Sequence, residues 1–212
     1  MSTFPTTRSL PKGPAREDRT RCDILSATLS LVERLGFSKI TLDDIARSLG
    51  KKKSFLYYYF PDKEAILASA VRREIEAIRS AIQSAVEKES TGKAKISAYL
   101  MQYHQEIKRR LPMITHLRQE VQRGSHGNYA LILDQSRRLM RSDIPLMAEI
   151  LREGVRDGSL RPLAPEEIDA MANFTVMALR GIEQEYILGE ATESVEQSFN
   201  VAIRILERGL AP

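Results

Sequence analysis

The residues best suited to chemistry are concentrated in one run, Lys51, Lys52, Lys53, Ser54, Phe55, Leu56, Tyr57, Tyr58, Tyr59 and Phe60. Lysine, serine and tyrosine side chains all donate hydrogen bonds to anionic oxygens, and the rings add flat faces. Projected at about 100° per residue, Leu56, Tyr59 and Phe60 share one arc of a helix, Ser54, Tyr57 and Tyr58 share the opposite arc, and Phe55 lies near the boundary. A helix with Lys, Ser and Tyr on its open face fits the DNA major groove, roughly 12 Å wide, and can reach phosphates and base edges there. Lys63 points the same way. A cation in the first turn of a helix opposes the macrodipole, unless a phosphate docks on that helix end and draws on both the free amides and the lysine.

Other chemistries lack their residues. The chain has no GxGxxG, P-loop, HExxH or ExxH pattern. His104, His116 and His126 are scattered, and Cys22, the single cysteine, excludes an intrachain disulfide and a CxxC clamp. Cys22 is expected as a small buried hydrophobe in a helix. His116 and Glu120 stand at i, i+4 spacing, which suits a solvated helix face better than a metal site. No enzyme, cofactor or metal is expected.

Charge is uneven along the 212 residues. Positions 1 to 67 hold 12 Lys/Arg and 8 Asp/Glu, whereas positions 68 to 212 hold 20 of each. All the excess positive charge therefore lies in the first third, which suggests a polyanion partner for that part and a different task for the rest. No window approaches the roughly 18 consecutive apolar residues of a membrane span, and the N-terminus lacks an apolar signal core, so no membrane partner and a cytoplasmic location are expected.

Apolar residues recur at helical spacing along most of the chain, and no alternating strand signal appears, so the expected fold is all-α with about nine helices. Residues 1–15, rich in Pro, Ser, Thr and basic side chains, are expected as a flexible tail. Ile24, Leu25, Thr28, Leu31, Val32 and Leu35 mark one face of a first helix that ends at Gly36. Thr41 caps a short second helix with Asp44 as reciprocal partner and Ile40 and Ile45 as its staple. Gly50 stops that helix, and the Lys51–Phe60 run forms a short third one before Pro61. Two short helices joined by a tight turn and backed by a longer one outline a helix-turn-helix DNA-binding domain over 16–67. Residues 68–212 are expected to form a second, larger helical domain. A long helix capped by Asp62 runs into it and ends near Glu89. Further helices are expected near 93–110, 113–123, 129–156, 165–188 and 194–209, with Pro145 able to kink the third of these five.

The stretch from 22 to 67 resembles the TetR family of bacterial transcription regulators, through Gly36-Phe37, T-L-D-D-I-A at Thr41 to Ala46, Gly50, and L-Y-Y-Y-F-P-D-K-E-A at Leu56 to Ala65. Leu151 to Leu160, L-R-E-G-V-R-D-G-S-L, is similar to a segment closing a long helix in many members. The resemblance implies a repressor that binds a palindromic operator as a homodimer and is released by a small effector. It places Thr41 on a phosphate, Lys53, Ser54, Phe55, Tyr57 and Tyr58 in or beside the groove, with Lys51 and Lys52 adjoining, and Tyr59 and Lys63 on the DNA backbone. Lys51-Lys52 departs from the usual small apolar residue and capping Ser or Thr, so the third helix lacks a side-chain cap. Ser54, Phe55 and Asp43 also differ from common choices, which leaves the operator sequence open.

For the second domain the resemblance implies a ligand pocket and a four-helix dimer bundle. Apart from the initiator, the methionines all lie beyond residue 100, and Met-rich surfaces adapt to varied ligands as readily as they fill cores. Candidate pocket residues are Tyr99, Met101, Tyr103, His104, Met113, Met140, Met147, Phe174 and Met177, with Tyr129 and Tyr186 as further polar handles. They are expected to hold a mostly apolar organic molecule of modest size. Candidate dimer residues are Met171, Thr175, Ala178, Leu179 and Ile182 on one stripe and Val195, Phe199, Ala202, Ile203 and Leu206 on another. Both stripes also suit an internal core. The alternative to a ligand-controlled regulator is a non-enzymatic helical bundle or a non-specific polyanion binder.

Overall fold

The computed structural model describes residues 14–122, 127–188 and 192–212. Among them are nine helices and no strand: α1 (Pro14–Leu35), α2 (Leu42–Ser48), α3 (Lys53–Tyr59), α4 (Lys63–Val86), α5 (Gly92–Arg109), α6 (Leu111–Gln122), α7 (Gly127–Arg156), α8 (Pro165–Leu188) and α9 (Thr192–Gly209). Most of the expected tail, 1–13, lies outside the described residues. Its end differs from expectation, because α1 already begins at Pro14. Proline suits a first helical position, where its missing N–H has no partner to lose. α7 runs through Pro145 as one helix.

Local chemistry sets the ends of the short helices. Thr41 accepts from the Asp44 amide at 3.2 Å and the Asp44 carboxylate accepts from the Thr41 amide at 3.1 Å, so α2 opens with a reciprocal cap. Gly50, at φ 64°, turns the chain into α3, a conformation that costs a residue with a Cβ about 1–2 kcal/mol. α3 has no side-chain cap on Lys52, and Asp62 caps α4 through the Ala65 amide at 2.7 Å.

Two apolar cores share α4. Ile66, Leu67, Ala70 and Val71, from its first half, pack with Ile24 and Val32 of α1, Phe37, Ile40, Ile45 and Leu56. Ile82 and Val86, near its end, pack with Tyr99 and Leu100 of α5, Met147 and Leu151 of α7, and Ala172 and Val176 of α8. At 1.5 Å per residue the 24 residues of α4 make a rod of about 36 Å joining the two. The first core does not stop at α4. Ile107, Ile114, Tyr186 and Val195, from α5, α6, α8 and α9, close it from the other side.

Polar ties follow the same seam. Arg73 of α4 donates to the Cys22 carbonyl and the Ser26 hydroxyl of α1 at 2.7 and 2.9 Å, and Arg110 pairs with Glu74 of α4 at 2.8 Å. Cys22 itself is exposed, contrary to the buried position expected for it. Further along, α5 starts hard against α7: a Cβ on Gly92 would lie 2.2 Å from the Gly154 backbone, so only glycine permits that approach.

The two stripes assigned to a dimer surface face inward. Thr175 and Leu179 of α8, and Val195, Phe199 and Ile203 of α9, are buried within the single chain, and Met171, Ile182 and Leu206 are partly buried against the second core. Ala178 and Ala202 are intermediate. The open faces lie elsewhere on the same helices, with Phe174 61% and Met177 64% exposed on α8, and Val201 and Ile205 exposed on α9.

Candidate nucleic-acid interface

On α3 the division of the rings follows the helical projection. Leu56 is fully buried and Phe60, just past the helix end, nearly so. Tyr57 and Tyr58 are 51% and 74% exposed, beside exposed Lys51, Lys52, Lys53 and Ser54. Burying Leu56 contributes about 1.5–3 kcal/mol, so the inner face anchors a seven-residue helix too short to persist alone. The outer face is thereby held rigid and open.

Contacts within this surface order it further. The Lys51 ammonium lies 5.5 Å from the centre of the Phe55 ring. Phe55 and Tyr58 flank Tyr59, with ring centres 5.1 and 4.9 Å away. The Arg21 guanidinium of α1 sits 5.9 Å from the Tyr59 ring and 5.2 Å from Phe60. Tyr59 is thus a partly buried pillar between α1 and α3, a role that its place among the expected DNA contacts did not reveal. Arg21 escaped the sequence reading because it stands almost forty positions away, in a helix chosen for its apolar face.

Three expected DNA contacts already have partners. Lys53 meets Asp43 at 3.7 Å, an exposed pair that contributes little and yields readily to a phosphate. The Thr41 hydroxyl donates to Asp44 at 2.6 Å, and this bond, with the Thr41 amide, holds the Asp44 carboxyl below the usual aspartate range. Lys63 donates from Nζ to the Ile40 carbonyl at 3.2 Å. In the DNA-free protein Lys63 therefore staples α4 to the strap before α2.

The residues grouped as pocket candidates do not converge. Met101, Phe174 and Met177 are exposed, whereas Tyr99 and Met147 are buried in the second core and Met113 packs against the first. The side chains of Met140 and Tyr129 lie outside those described, as does His126. Tyr103 and His104 do line one narrow, partly open cleft. They are joined by Ile107 of α5, Glu183 and Tyr186 of α8, and Ile182 and Phe199 from the supposed dimer stripes. Glu183 was missed because a lone glutamate in a helix reads as solvated surface. His116 Nε2 meets the Glu33 carbonyl at 3.0 Å and ties α6 to the end of α1. Among the described residues no three His, Cys, Asp or Glu side chains cluster as a metal site. No helix among them is long and apolar enough to cross a membrane.

A capped helix, a glycine turn and a buried-anchored second helix presenting Lys, Ser and Tyr define a helix-turn-helix DNA-binding regulator. Residues 24–70 match the family model described as bacterial regulatory proteins, tetR family. The chain is 36% identical over 92 residues, spanning 42% of that protein's length, to the HTH-type transcriptional regulator EthR of Mycolicibacterium smegmatis. It is 29% identical over 202 residues, 89% of each chain, to the HTH-type transcriptional regulator RutR of Escherichia coli O157:H7. A transcriptional regulator from Cytophaga hutchinsonii has the same fold at TM-score 0.72 and 17% identity, covering 89% of this chain and 97% of that one. Residues 24–70 thus carry the DNA-binding pattern of the tetR family, and the chain is similar along most of its length to a helix-turn-helix transcriptional regulator.

Proposed function

We propose that the protein is a repressor that binds a palindromic operator as a homodimer and is released by a small organic effector. The observation that carries this reading is the rigid, open Lys-Ser-Tyr face of α3. Residues 16–67 form the DNA-binding head, with Ser54, Tyr57 and Tyr58 toward base edges and Lys51, Lys52, Lys53 and Lys63 toward phosphates. The remainder forms the effector and dimer domain. One head covers too little DNA for high specificity, so two heads must be joined. The apolar residues left open on neighbouring α8 and α9, Phe174, Met177, Val201 and Ile205, are the surface that joins them. An effector acts by favouring a head spacing that the operator disfavours.

Selection from a randomised DNA library at about 0.15 M salt, where non-specific attraction is weakened, tests this directly. The expected product is a palindrome with two half-sites. Enrichment of no motif above bulk DNA would refute sequence-specific repression and leave a non-specific polyanion binder.

A further inference from the structure

Between α5, α8 and α9 lies a narrow, partly open cleft of about 170 Å³ counted with its open mouth, too tight in this conformation to admit a water. Its walls combine four rings, those of Tyr103, His104, Tyr186 and Phe199, with one carboxyl, that of Glu183. His104 stacks on Phe199 with ring centres 4.1 Å apart and planes 12° from parallel. Tyr103 donates its hydroxyl to Glu183 at 2.8 Å. Burial pushes the Glu183 carboxyl upward, while the Tyr103 bond and nearby Arg180 pull it back. Glu183 is partly buried, so its carboxyl stands among the rings where an entering ligand can reach it.

Arg180 acts on Glu183 from the same helix, and Glu183 is the one carboxyl among the residues lining this space. Burial and then Lys108 hold His104 down, so its imidazole is neutral at pH 7 and does not repel a cation. Lys108 is itself bound to Glu196 at 2.7 Å. Asp143, which accepts from Tyr99 one turn earlier on α5, is met by Arg79 at 3.8 Å and belongs to the second core.

We infer that this space is the effector site and that its ligand is a compact quaternary or substituted ammonium ion, held between ring faces over the Glu183 carboxylate. Ring faces attract an organic cation through their quadrupoles, and a neighbouring carboxylate supplies the counter-charge that burial otherwise denies it. Because the cleft has no room even for a water in this conformation, the cation must part α5 from α8 and α9 on entering. Helix α6 packs against both α5 and α8, and through His116 it grips the end of α1, which gives the separation a path to the DNA-binding face. The inference rests on the effector-responsive reading above.

Calorimetric titration of the full-length, DNA-free protein tests it, using tetramethylammonium and benzyltrimethylammonium chloride against tert-butanol and benzyl alcohol at matched ionic strength. The cations are expected to bind at least tenfold more tightly than the neutral compounds. Glu183→Gln should weaken the cations at least tenfold. Tyr103→Phe, which keeps the ring and frees the carboxylate, should leave cation binding intact, whereas a merely structural Tyr–Glu bond predicts parallel losses in both variants. Should Glu183→Gln fail to fold, Tyr186→Leu replaces it and must lower cation affinity with little change for the alcohols. No cation preference, or a preference that survives Glu183→Gln, overturns the inference. Cation binding that leaves the complex with selected operator DNA intact would uphold the site and overturn its effector role, so the two readings fail separately.

Discussion

Replacing Lys63 by Met distinguishes a structural staple from a phosphate contact in one experiment. In the DNA-free protein the Lys63 ammonium holds the Ile40 carbonyl at 3.2 Å from a partly buried position. Hydrogen bonds to charged groups contribute about 1.5–3 kcal/mol, and partial exposure lowers that to about 1 kcal/mol. For a chain of this size the corresponding loss in Tm is about 2–4 °C. If Lys63 also meets a phosphate in the complex, each protomer loses one neutralised phosphate, and log K against log salt flattens by about 0.9 per head, or about 1.8 for a dimer. Calorimetric unfolding measures the first quantity. Fluorescence anisotropy with a selected operator between about 50 and 200 mM salt measures the second. The expected Lys63→Met variant melts earlier and has a shallower salt dependence. A lower Tm with an unchanged slope would confine Lys63 to the staple. An unchanged Tm with an unchanged slope would refute both the structural argument and its place in the DNA interface.

Tyr57→Ala removes a side chain that is half exposed, so unfolding should shift by less than about 0.5 kcal/mol while operator affinity falls by about 1–3 kcal/mol, as read by denaturant melts and anisotropy. Phe174→Asp combined with Ile205→Asp should yield a folded monomer by sedimentation velocity, with operator binding lost; a dimer that survives places the interface elsewhere. Acid titration of helicity should show a wild-type loss that Thr41→Val, lacking the capping hydroxyl but keeping the amide, shares only in part. The Asp44 carboxyl is held below its ordinary range, so its contribution is complete above the unfolded aspartate value and disappears as pH falls through the lower folded one.

The helix ends were legible in the sequence because they are decided within a few residues. The Thr41–Asp44 cap, the Gly50 turn and the Asp62 cap all form where residue chemistry places them, since each partner lies at most three positions away. The face of α3 was legible too, because one side carries Leu56 and the other Lys, Ser and two phenols. Rotation of α8 and α9 about their own axes was not. α8 is apolar on two faces, with Thr175 and Leu179 on one and Phe174 and Met177 on the other, and helical periodicity cannot choose between equals. Packing against α7 and α5 made that choice, burying Thr175, Leu179, Phe199 and Ile203 and leaving Phe174, Met177 and Ile205 open.

The sequence by itself determined the helical class, the order of elements and the open Lys-Ser-Tyr face of α3, because these depend on local propensity, caps and a clear polar-apolar contrast. Only the tertiary structure decided which rings meet Glu183, where Lys63 and Arg21 are anchored, and which apolar stripe remains for a partner. Those pairings join residues 23 to about 100 positions apart, such as Tyr103 with Glu183 and Lys63 with Ile40, and no spacing rule within a helix reaches across that distance.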